Sequence, residues 1–333
     1  MKRLGSLTER IAELDNLYLA FANACRGKQC KQEVREFRKN FDENISLLRR
    51  EILMGNINVG RYHFFTIRDP KLRTICAVPF RERVLHHAIM NICHPYFDCS
   101  LIDDTYATRP GKGVYAALDR AVKAATKYKY MVKLDFRKYY DSIKHDILKE
   151  QLYRKFKDKR LLSMLCHIID SYHDDTGIGL PIGNLTSQYM ANTYLSGFDH
   201  WAKEQLKIPV YIRYMDDILL AGDDKIELKE KVRLLNNYAS VRLHLKLKPP
   251  IFHTSKTGVV FLGYIIHPRR YTLSGRSKRR FRTKLLMYEH NLAVERWTEQ
   301  QYKEHILPLL SFVNHADSKN FRKSCISIFY KNG

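Results

Sequence analysis

Apolar positions recur at helical spacing near both ends of the chain. Between residues 6 and 54 they include Leu7, Ile11, Leu14, Leu17 and Tyr18. Between residues 281 and 313 they include Leu285, Leu286, Leu292, Trp297, Ile306, Leu309, Leu310 and Phe312. Such spacing places apolar side chains on one face of a helix. The pattern therefore predicts helices in both stretches.

The middle of the chain contains shorter apolar runs, which are typical of strands. Residues 61–79 predict two strands joined by a turn at Asp69 and Pro70, and residues 258–266 predict further strands. Residues 211–222 predict a tight hairpin. Helices are expected to start near residues 80, 114 and 145, over residues 225–241, and as one long helix within residues 177–206.

Three acidic residues stand at the ends of these apolar runs. Asp216 and Asp217 lie at the tip of the predicted hairpin, and Asp135 follows the strand predicted over residues 130–134. Acids next to buried strands are costly unless cations neutralise them. Three converging carboxylates suit a pair of divalent cations that promote phosphoryl transfer. For the Asp-Asp pair taken alone, the alternative is an ordinary surface turn.

Charge and length restrict the class of partner. The 333 residues carry 58 Lys and Arg against 35 Asp and Glu, a net charge of +23 with a pI near 9.7. Such an excess indicates a polyanion, most often nucleic acid. No stretch approaches the roughly 18 apolar residues of a membrane span, and the N-terminal residues lack the apolar core of a signal peptide. We therefore expect a cytoplasmic protein, prokaryotic or encoded by a phage, without a membrane partner.

The cysteines give no sign of a metal or disulfide framework. There are seven, and no two form a CxxC pair. We expect most of them to be small core residues.

Several motifs follow one another along the chain, namely LDFRKYYDSI, GLPIGNLTSQ, YMDD and FLGY (261–264), preceded by FTIRDPKLRTI and YATRPGKG. Together they resemble the motifs of reverse transcriptases. The resemblance covers about residues 60–268, and the order of the motifs is that of the family. The form IGxxxSQ is similar to that of diversity-generating retroelements, whereas group II intron enzymes usually have PQG followed by SP.

The resemblance implies an α+β right-hand polymerase, with a central antiparallel sheet in fingers and palm and a helical thumb. The implied boundaries are 1–60 for an N-terminal helical extension, 61–268 for fingers and palm, and 269–333 for the thumb. The implied activity is RNA-directed DNA polymerisation that makes error-prone cDNA, mutated at adenines, from a template-repeat RNA. The implied partners are template RNA, the RNA–DNA hybrid, deoxynucleoside triphosphates and a small basic accessory protein.

Roles follow from the resemblance position by position. Asp135, Asp216 and Asp217 would be catalytic and, with the Phe136 carbonyl, would hold two Mg²⁺ ions, for which Mn²⁺ could substitute. The expected nucleotide-binding residues are Lys71, Arg73, Tyr140, Ile182, Gly183 and Gln188, with Tyr140 as the gate against ribonucleotides. The expected primer grip comprises Phe261, Leu262, Gly263 and Tyr264. The expected nucleic-acid-binding cations are Arg109, Lys112, Arg276, Lys278, Arg279 and Arg280.

Ile182 is the main departure from other reverse transcriptases, many of which have Gln there. Because Ile offers no hydrogen bond to the nucleotide, we hypothesise that it contributes to low fidelity. A lysine that protonates pyrophosphate is not assigned, since Lys246, Lys248 and Lys256 are all candidates.

Two alternatives stay open. One is a reverse transcriptase with another role, such as phage defence, CRISPR spacer acquisition or a group II intron-like role. The other is an RNA-binding scaffold without catalysis.

Overall fold

Helices and short antiparallel strands alternate along the chain. The computed structural model describes residues 6–68, 72–172 and 177–331, with side chains up to residue 325. The helices are α1 (Leu7–Ile11), α2 (Leu14–Cys25), α3 (Gln32–Lys39), α4 (Phe41–Met54), α5 (Phe80–Asp98), α6 (Val114–Lys127), α7 (His145–Lys155), α8 (Lys159–Asp170), α9 (Leu185–Tyr194), α10 (Ser196–His200), α11 (Lys225–Leu243), α12 (Gly275–Ala293), α13 (Glu299–Asn314) and α14 (Lys319–Lys331). In the described ranges, no helix is long and apolar enough to cross a membrane.

The strands form three antiparallel sheets. They are β1 (His63–Arg68), β2 (Leu72–Ala77), β3 (Tyr130–Asp135), β4 (Val210–Tyr214), β5 (Asp217–Gly222), β6 (Ile251–Thr254), β7 (Val259–Phe261), β8 (Tyr264–His267) and β9 (Arg270–Leu273). Strands β1 and β2 pair with each other, β7, β8 and β9 form a second sheet, and the largest sheet has the order β4-β5-β3-β6.

These elements largely match the sequence predictions. The helices expected over residues 6–54 and 281–313, the hairpin over 211–222 and the strand ending at Asp135 are all present. The single long helix expected within residues 177–206 is wrong. That segment contains α9 and α10, which meet at Leu195, and then a π-helical turn, Trp201–Gln205.

The chain divides into two compact units, each assembled from three segments. The first comprises Met1–Asp103, Phe136–Gln205 and Leu235–Lys246, and the second comprises Asp104–Asp135, Leu206–Leu234 and Leu247–Gly333. In the first unit, α2 packs along α5, and α5 also contacts α9. In the second unit, α6 packs on β4 and β8, and the core extends into α12 and α13.

Asp158 ties the first helix of the chain to α8. Its buried carboxylate accepts hydrogen bonds from the amides of Leu7 (2.8 Å) and Thr8 (2.7 Å), and from the Thr8 hydroxyl at 2.8 Å. It also caps α8 by accepting from the Leu161 amide at 3.2 Å. One side chain thus satisfies the N-termini of two helices. Burial raises the pKa of Asp158, but the hydrogen bonds from Thr8, Leu161 and Leu7 outweigh it and lower the pKa.

We expect Asp158→Ala to lower the free energy of unfolding by about 2 to 4 kcal/mol, because it removes two helix caps and leaves buried amides unpaired. Urea unfolding followed by circular dichroism measures this. The control is Asp42→Ala, which removes an exposed acid from the first turn of α4. Because the folded pKa is lowered, the contribution of Asp158 is complete above about pH 4 and declines as the pH falls further. Equal urea midpoints of unfolding for Asp158→Ala and Asp42→Ala would contradict the conclusion that Asp158 caps both helices.

Candidate active site

The hairpin of β4 and β5 carries two of the three predicted carboxylates. Tyr214 pairs with Asp217, so that Met215 and Asp216 form a two-residue turn. Met215 has a φ of 52°, in a region that non-glycine residues seldom adopt. The turn thus presents Asp216, while Asp217 is the first residue of β5.

The third carboxylate lies on the neighbouring strand. Strand β3 is antiparallel to β5, and Asp135 is the direct register partner of Asp217. Directly opposed residues of an antiparallel pair have Cβ atoms about 4.5–5.5 Å apart. The sheet therefore gathers Asp135, Asp216 and Asp217 at one end, all within the second unit.

Two lysines partly neutralise this concentration of negative charge. Lys248 Nζ lies 2.5 Å from Asp135 Oδ2, and the Lys248 amide donates to the Asp135 carbonyl at 2.8 Å. Lys133 Nζ lies 3.0 Å from Asp217 Oδ1. These ammonium groups supply positive charge where neighbouring carboxylates would otherwise repel one another.

Asp216 is the least compensated of the three acids. Burial raises its pKa to about 6, and the charges of Asp217 and Asp135 raise it too, while its own amide and Lys248 oppose the shift. Asp216 therefore ionises fully only above pH 6 unless a cation is added. That property suits a ligand for a divalent ion.

The donor set suits hard divalent cations, because all three groups offer carboxylate oxygens. In the described ranges, no three Asp, Glu, His or Cys side chains already stand together as a metal site. Asp135 and Asp217 are instead directed at their lysines. Metal binding to these residues stays a prediction, supported by the raised pKa of Asp216.

The sequence pattern predicted only one of the two lysines that pair with the carboxylates, and only as one candidate among three. Lys133 was not among the expected site residues, although it stands two positions before Asp135 in β3 and therefore lies on the same face. Lys248 was one of three open candidates for the pyrophosphate lysine, and it is the one that contacts Asp135. The sequence could not distinguish it from Lys246 or Lys256, because the choice depends on where the loop before β6 meets β3.

In the first unit, the segment containing Ile182 and Gly183 docks on β2. The Cys76 amide donates to the Ile182 carbonyl at 2.9 Å. Gly183 has a φ of +118°, and a Cβ there would stand 2.8 Å from the Ile75 side chain, so the approach requires glycine. Arg73 is exposed on β2, opposite Ile67.

One predicted triphosphate ligand, Lys71, lies outside the described residues. Its assignment stays a prediction, as does that of Arg73.

The two tyrosines after Asp135 differ in burial. Tyr139 is buried, and its hydroxyl donates to the Ala191 carbonyl at 2.5 Å. Tyr140 is only partly buried, and its carbonyl accepts the Leu180 amide at 2.9 Å. Phe136 is buried against Tyr139. Because its side chain has no donor atom, the main-chain carbonyl is the ligand atom that Phe136 could offer. Of these two tyrosines, only Tyr140 keeps some exposed surface, and its role as a gate stays a prediction.

Helix α9 starts next to a buried polar pair. Glu82 and His86 on α5 face each other at 3.6 Å, and His86 lies 3.5 Å from the Thr186 hydroxyl. Burial raises the pKa of Glu82 to about 7 and lowers that of His86 to about 3, so His86 is neutral at physiological pH. Asn184 occupies the N-cap position of α9 without a side-chain capping bond. Gln188, in the second turn of α9, is partly buried.

The predicted primer grip is the turn between β7 and β8. Phe261 and Tyr264 pair with each other and are fully buried, and the Tyr264 hydroxyl donates to the Phe312 carbonyl at 2.8 Å. Leu262 and Gly263 form the turn, both at positive φ. Only the turn residues are available to a nucleic acid, while Phe261 and Tyr264 hold the turn in place.

The predicted nucleic-acid-binding cations fall in two places. Arg109 donates to the Thr105 carbonyl and hydroxyl at 3.1 and 2.8 Å, and Lys112 lies over the Tyr106 ring at 5.2 Å. The others lie in the first two turns of α12 and are exposed, namely Arg276, Lys278, Arg279 and Arg280. Arg276, in the first turn, opposes the helix dipole by about 0.3 to 1 kcal/mol, an effect that falls off beyond that turn. An anionic partner would remove this penalty.

Comparison with known proteins identifies distant relatives. Protein YkfC of Escherichia coli is 25% identical over 175 residues, covering 48% of this chain and 46% of YkfC. The group II intron-encoded protein LtrA of Lactococcus lactis is 23% identical over 218 residues, covering 60% of this chain and 36% of LtrA. The chain thus spans less than half the length of these two relatives.

Remote structural similarity extends to telomerase. Apo telomerase from Candida tropicalis, truncated from its C-terminal domain, aligns with a TM-score of 0.49 at 13% identity, covering 64% of this chain and 55% of that one. Telomerase from Candida albicans, in complex with a fragment of telomeric RNA, aligns with a TM-score of 0.47 at 11% identity, covering 88% and 60%.

A family model supplies the assignment. The model described as reverse transcriptase (RNA-dependent DNA polymerase) matches residues 68–266, a range that holds Asp135, Asp216, Asp217 and the sheet that carries them. The predicted fold class, an α+β right-hand polymerase with a central antiparallel sheet, is confirmed. Because the match covers more than half of its residues, the chain belongs to the reverse transcriptase family.

Proposed function

We propose that this protein is an RNA-directed DNA polymerase that uses two divalent cations. The observation that carries the proposal is the pairing of Asp135 with Asp217 on adjacent strands, next to the turn that presents Asp216. The reaction is attack of a primer 3′ hydroxyl on the α-phosphate of a deoxynucleoside triphosphate, with RNA as template. A phosphodiester bond forms, the bond between the α- and β-phosphates breaks, and pyrophosphate leaves.

In this proposal Asp135 and Asp216 hold the cations, Asp217 completes the acidic cluster and the Phe136 carbonyl is a further ligand. Two bound Mg²⁺ ions would stabilise the negative charge on the attacking and leaving oxygens. Lys248 and Lys133 keep the carboxylates from repelling one another before cations bind. Arg73 and Lys71 would bind the triphosphate, and Tyr140 would exclude ribonucleotides.

The template–primer would bind the basic surface of the second unit. An RNA–DNA hybrid is recognised mainly through its shape and phosphates, which calls for cations more than for base-reading groups. The exposed cations in the first two turns of α12 meet that requirement. The divisions 1–60, 61–268 and 269–333 into extension, fingers with palm, and thumb also stay a proposal.

We assign the enzyme to the diversity-generating class, because IGxxxSQ is the form of this motif in the chain. In that role it makes cDNA mutated at adenines from a template-repeat RNA, together with a small basic accessory protein. A cytoplasmic location is part of the same proposal.

A group II intron-like role is the second candidate. It is favoured by the match to the group II intron-encoded protein LtrA, at 23% identity. The error spectrum distinguishes the two roles, because only the diversity-generating class is expected to concentrate errors opposite template adenines.

The polymerase proposal predicts that Asp216→Asn lowers primer extension on an RNA template by about 1,000-fold or more, equivalent to about 4 kcal/mol of transition-state stabilisation. The assay contains Mg²⁺, a DNA primer and all four deoxynucleotides. Asp223→Asn is the matched control, since Asp223 lies just beyond the other end of β5 and is exposed.

Parallel reactions with ribonucleotides measure the sugar selection proposed for Tyr140. If the wild type, supplied with cognate RNA and accessory protein, extends no faster than Asp216→Asn, the chain is an RNA-binding scaffold.

Cation binding should be coupled to the proton on Asp216. Because burial raises the pKa of Asp216 to about 6, Mn²⁺ must displace a proton below that pH. We expect the apparent affinity for Mn²⁺, measured by electron paramagnetic resonance, to fall about tenfold per pH unit below pH 6. In Asp216→Asn that dependence should be much weaker. A wild-type affinity that does not change between pH 7 and pH 5 would contradict the assignment.

Fidelity tests the role of Ile182. A side-chain amide at this position would restore a hydrogen bond worth about 0.5 to 1.5 kcal/mol. We therefore expect Ile182→Gln to reduce misincorporation opposite template adenine by about 2- to 10-fold, as counted by sequencing the cDNA. Ile182→Leu is the control that changes shape without adding a donor. Unchanged error rates in Ile182→Gln would remove Ile182 from the account of fidelity.

A further inference from the structure

Arg213 is a fully buried cation in the strand that leads to the catalytic turn. It lies in β4, where Val210, Tyr211 and Ile212 are also buried, and its side chain has no exposed surface. A buried charge is costly unless it is paired or hydrogen-bonded. An apolar side chain would complete this strand without that cost. The Arg213 guanidinium is therefore expected to be held by polar contacts, and one of them lies within the hairpin itself.

The main chain of Arg213 is fixed from outside the sheet. Its amide donates to the Asp104 carbonyl at 2.9 Å, and its carbonyl accepts the Tyr106 amide at 2.9 Å. Thr105 thereby forms a parallel bridge with Arg213 along the edge of β4. Arg120 anchors this segment, since its Nε lies 3.0 Å from Asp104 Oδ1. The base of the Arg213 side chain is therefore held rigidly.

The side chain reaches forward to the turn. Arg213 Nη1 donates to the Met215 carbonyl at 3.1 Å. That carbonyl belongs to the peptide group that joins Met215 to Asp216. The hydrogen bond therefore fixes the orientation of the peptide plane that precedes Asp216. Met215 has a φ of 52°, which costs energy in a non-glycine residue and persists only where surrounding contacts enforce it. The guanidinium supplies such a contact.

We propose that Arg213 is a positioning residue for Asp216, which holds the turn in the conformation that presents this carboxylate to a divalent cation. The inference rests on the proposed function of Asp216. Arg213 acts through the main chain, whereas Lys248 and Lys133 act on the acidic cluster through charge. Removing Arg213 should therefore disturb the geometry of the site while leaving both lysine–carboxylate pairs intact.

The test compares Arg213→Met, which has no donor, with Arg213→Lys, which keeps the charge and one donor group. Groups that orient a metal ligand typically change metal affinity or activity by about 10- to 100-fold when removed. We expect Arg213→Met to lower the rate constant of single-nucleotide addition by about 100-fold and Arg213→Lys by about tenfold. The apparent Kd for the deoxynucleotide should change less than about threefold, because the nucleotide ligands are untouched.

A second readout does not depend on catalysis. Mn²⁺ binding without nucleic acid, followed by electron paramagnetic resonance, should weaken about tenfold in Arg213→Met. If the wild type binds Mn²⁺ but extends no primer, the proposed function fails while the role of Arg213 is still measured. Ile212→Val is the control for simple destabilisation, since it removes one buried methylene from the same strand.

The outcomes are decisive in both directions. A folded Arg213→Met with the rate constant and Mn²⁺ affinity of the wild type overturns the proposal. Should Arg213→Met not fold, Arg213→Lys carries the comparison, and wild-type values there overturn it too. Loss of folding in both variants, or equal losses in Ile212→Val, would assign Arg213 to the stability of β4 and reject a positioning role.

Discussion

Repulsion among three carboxylates is the constraint on which the second unit depends. The antiparallel pairing of β3 with β5 fixes Asp135 opposite Asp217, and the turn places Asp216 beside them. The three carboxylates are neutralised to different extents by neighbouring cations. Lys248 and Lys133 each bind one carboxylate, while Asp216 is left with a pKa of about 6. The protein's own cations thus offset the repulsion only in part, and further positive charge at the site would relieve the rest.

The same constraint explains why rigid main-chain contacts surround the turn. A carboxylate in an energetically unfavourable position moves away unless its backbone is held. The segment 104–106 holds the edge of β4, and Arg213 bonds to the Met215 carbonyl. In the first unit, similar contacts hold the segment that contains Ile182 and Gly183. Gly183 lies close to Ile75, and the Cys76 amide donates to the Ile182 carbonyl. In each unit, candidate functional residues lie where backbone conformation is narrowly determined.

Periodicity and local motifs in the sequence predicted the elements that depend on neighbouring residues. The hairpin with acids at its tip, the strand that ends at Asp135 and the helices at both ends are all present, because each depends on neighbouring residues. The partners that depend on contacts between distant segments were not predictable. Lys248 meets Asp135 across 113 positions, and Asp158 meets Leu7 across 151. The interruption between α9 and α10 was also missed, because apolar spacing continues through Leu195 although the hydrogen-bond pattern does not.

The capping of α1 by Asp158 has a consequence for synthesis on the ribosome. The amides of Leu7 and Thr8 gain their acceptor only when a residue about 150 positions later has emerged, and the first unit is complete only after Lys246. At about 5–20 residues per second, the N-terminal helices of a nascent chain spend about 8 to 30 seconds without this partner. During that interval their apolar side chains are exposed, and the two amides donate to water. The early part of the chain is therefore exposed to water and to aggregation for longer than a helix whose partners are close in sequence, although the finished protein buries Leu7 and Thr8.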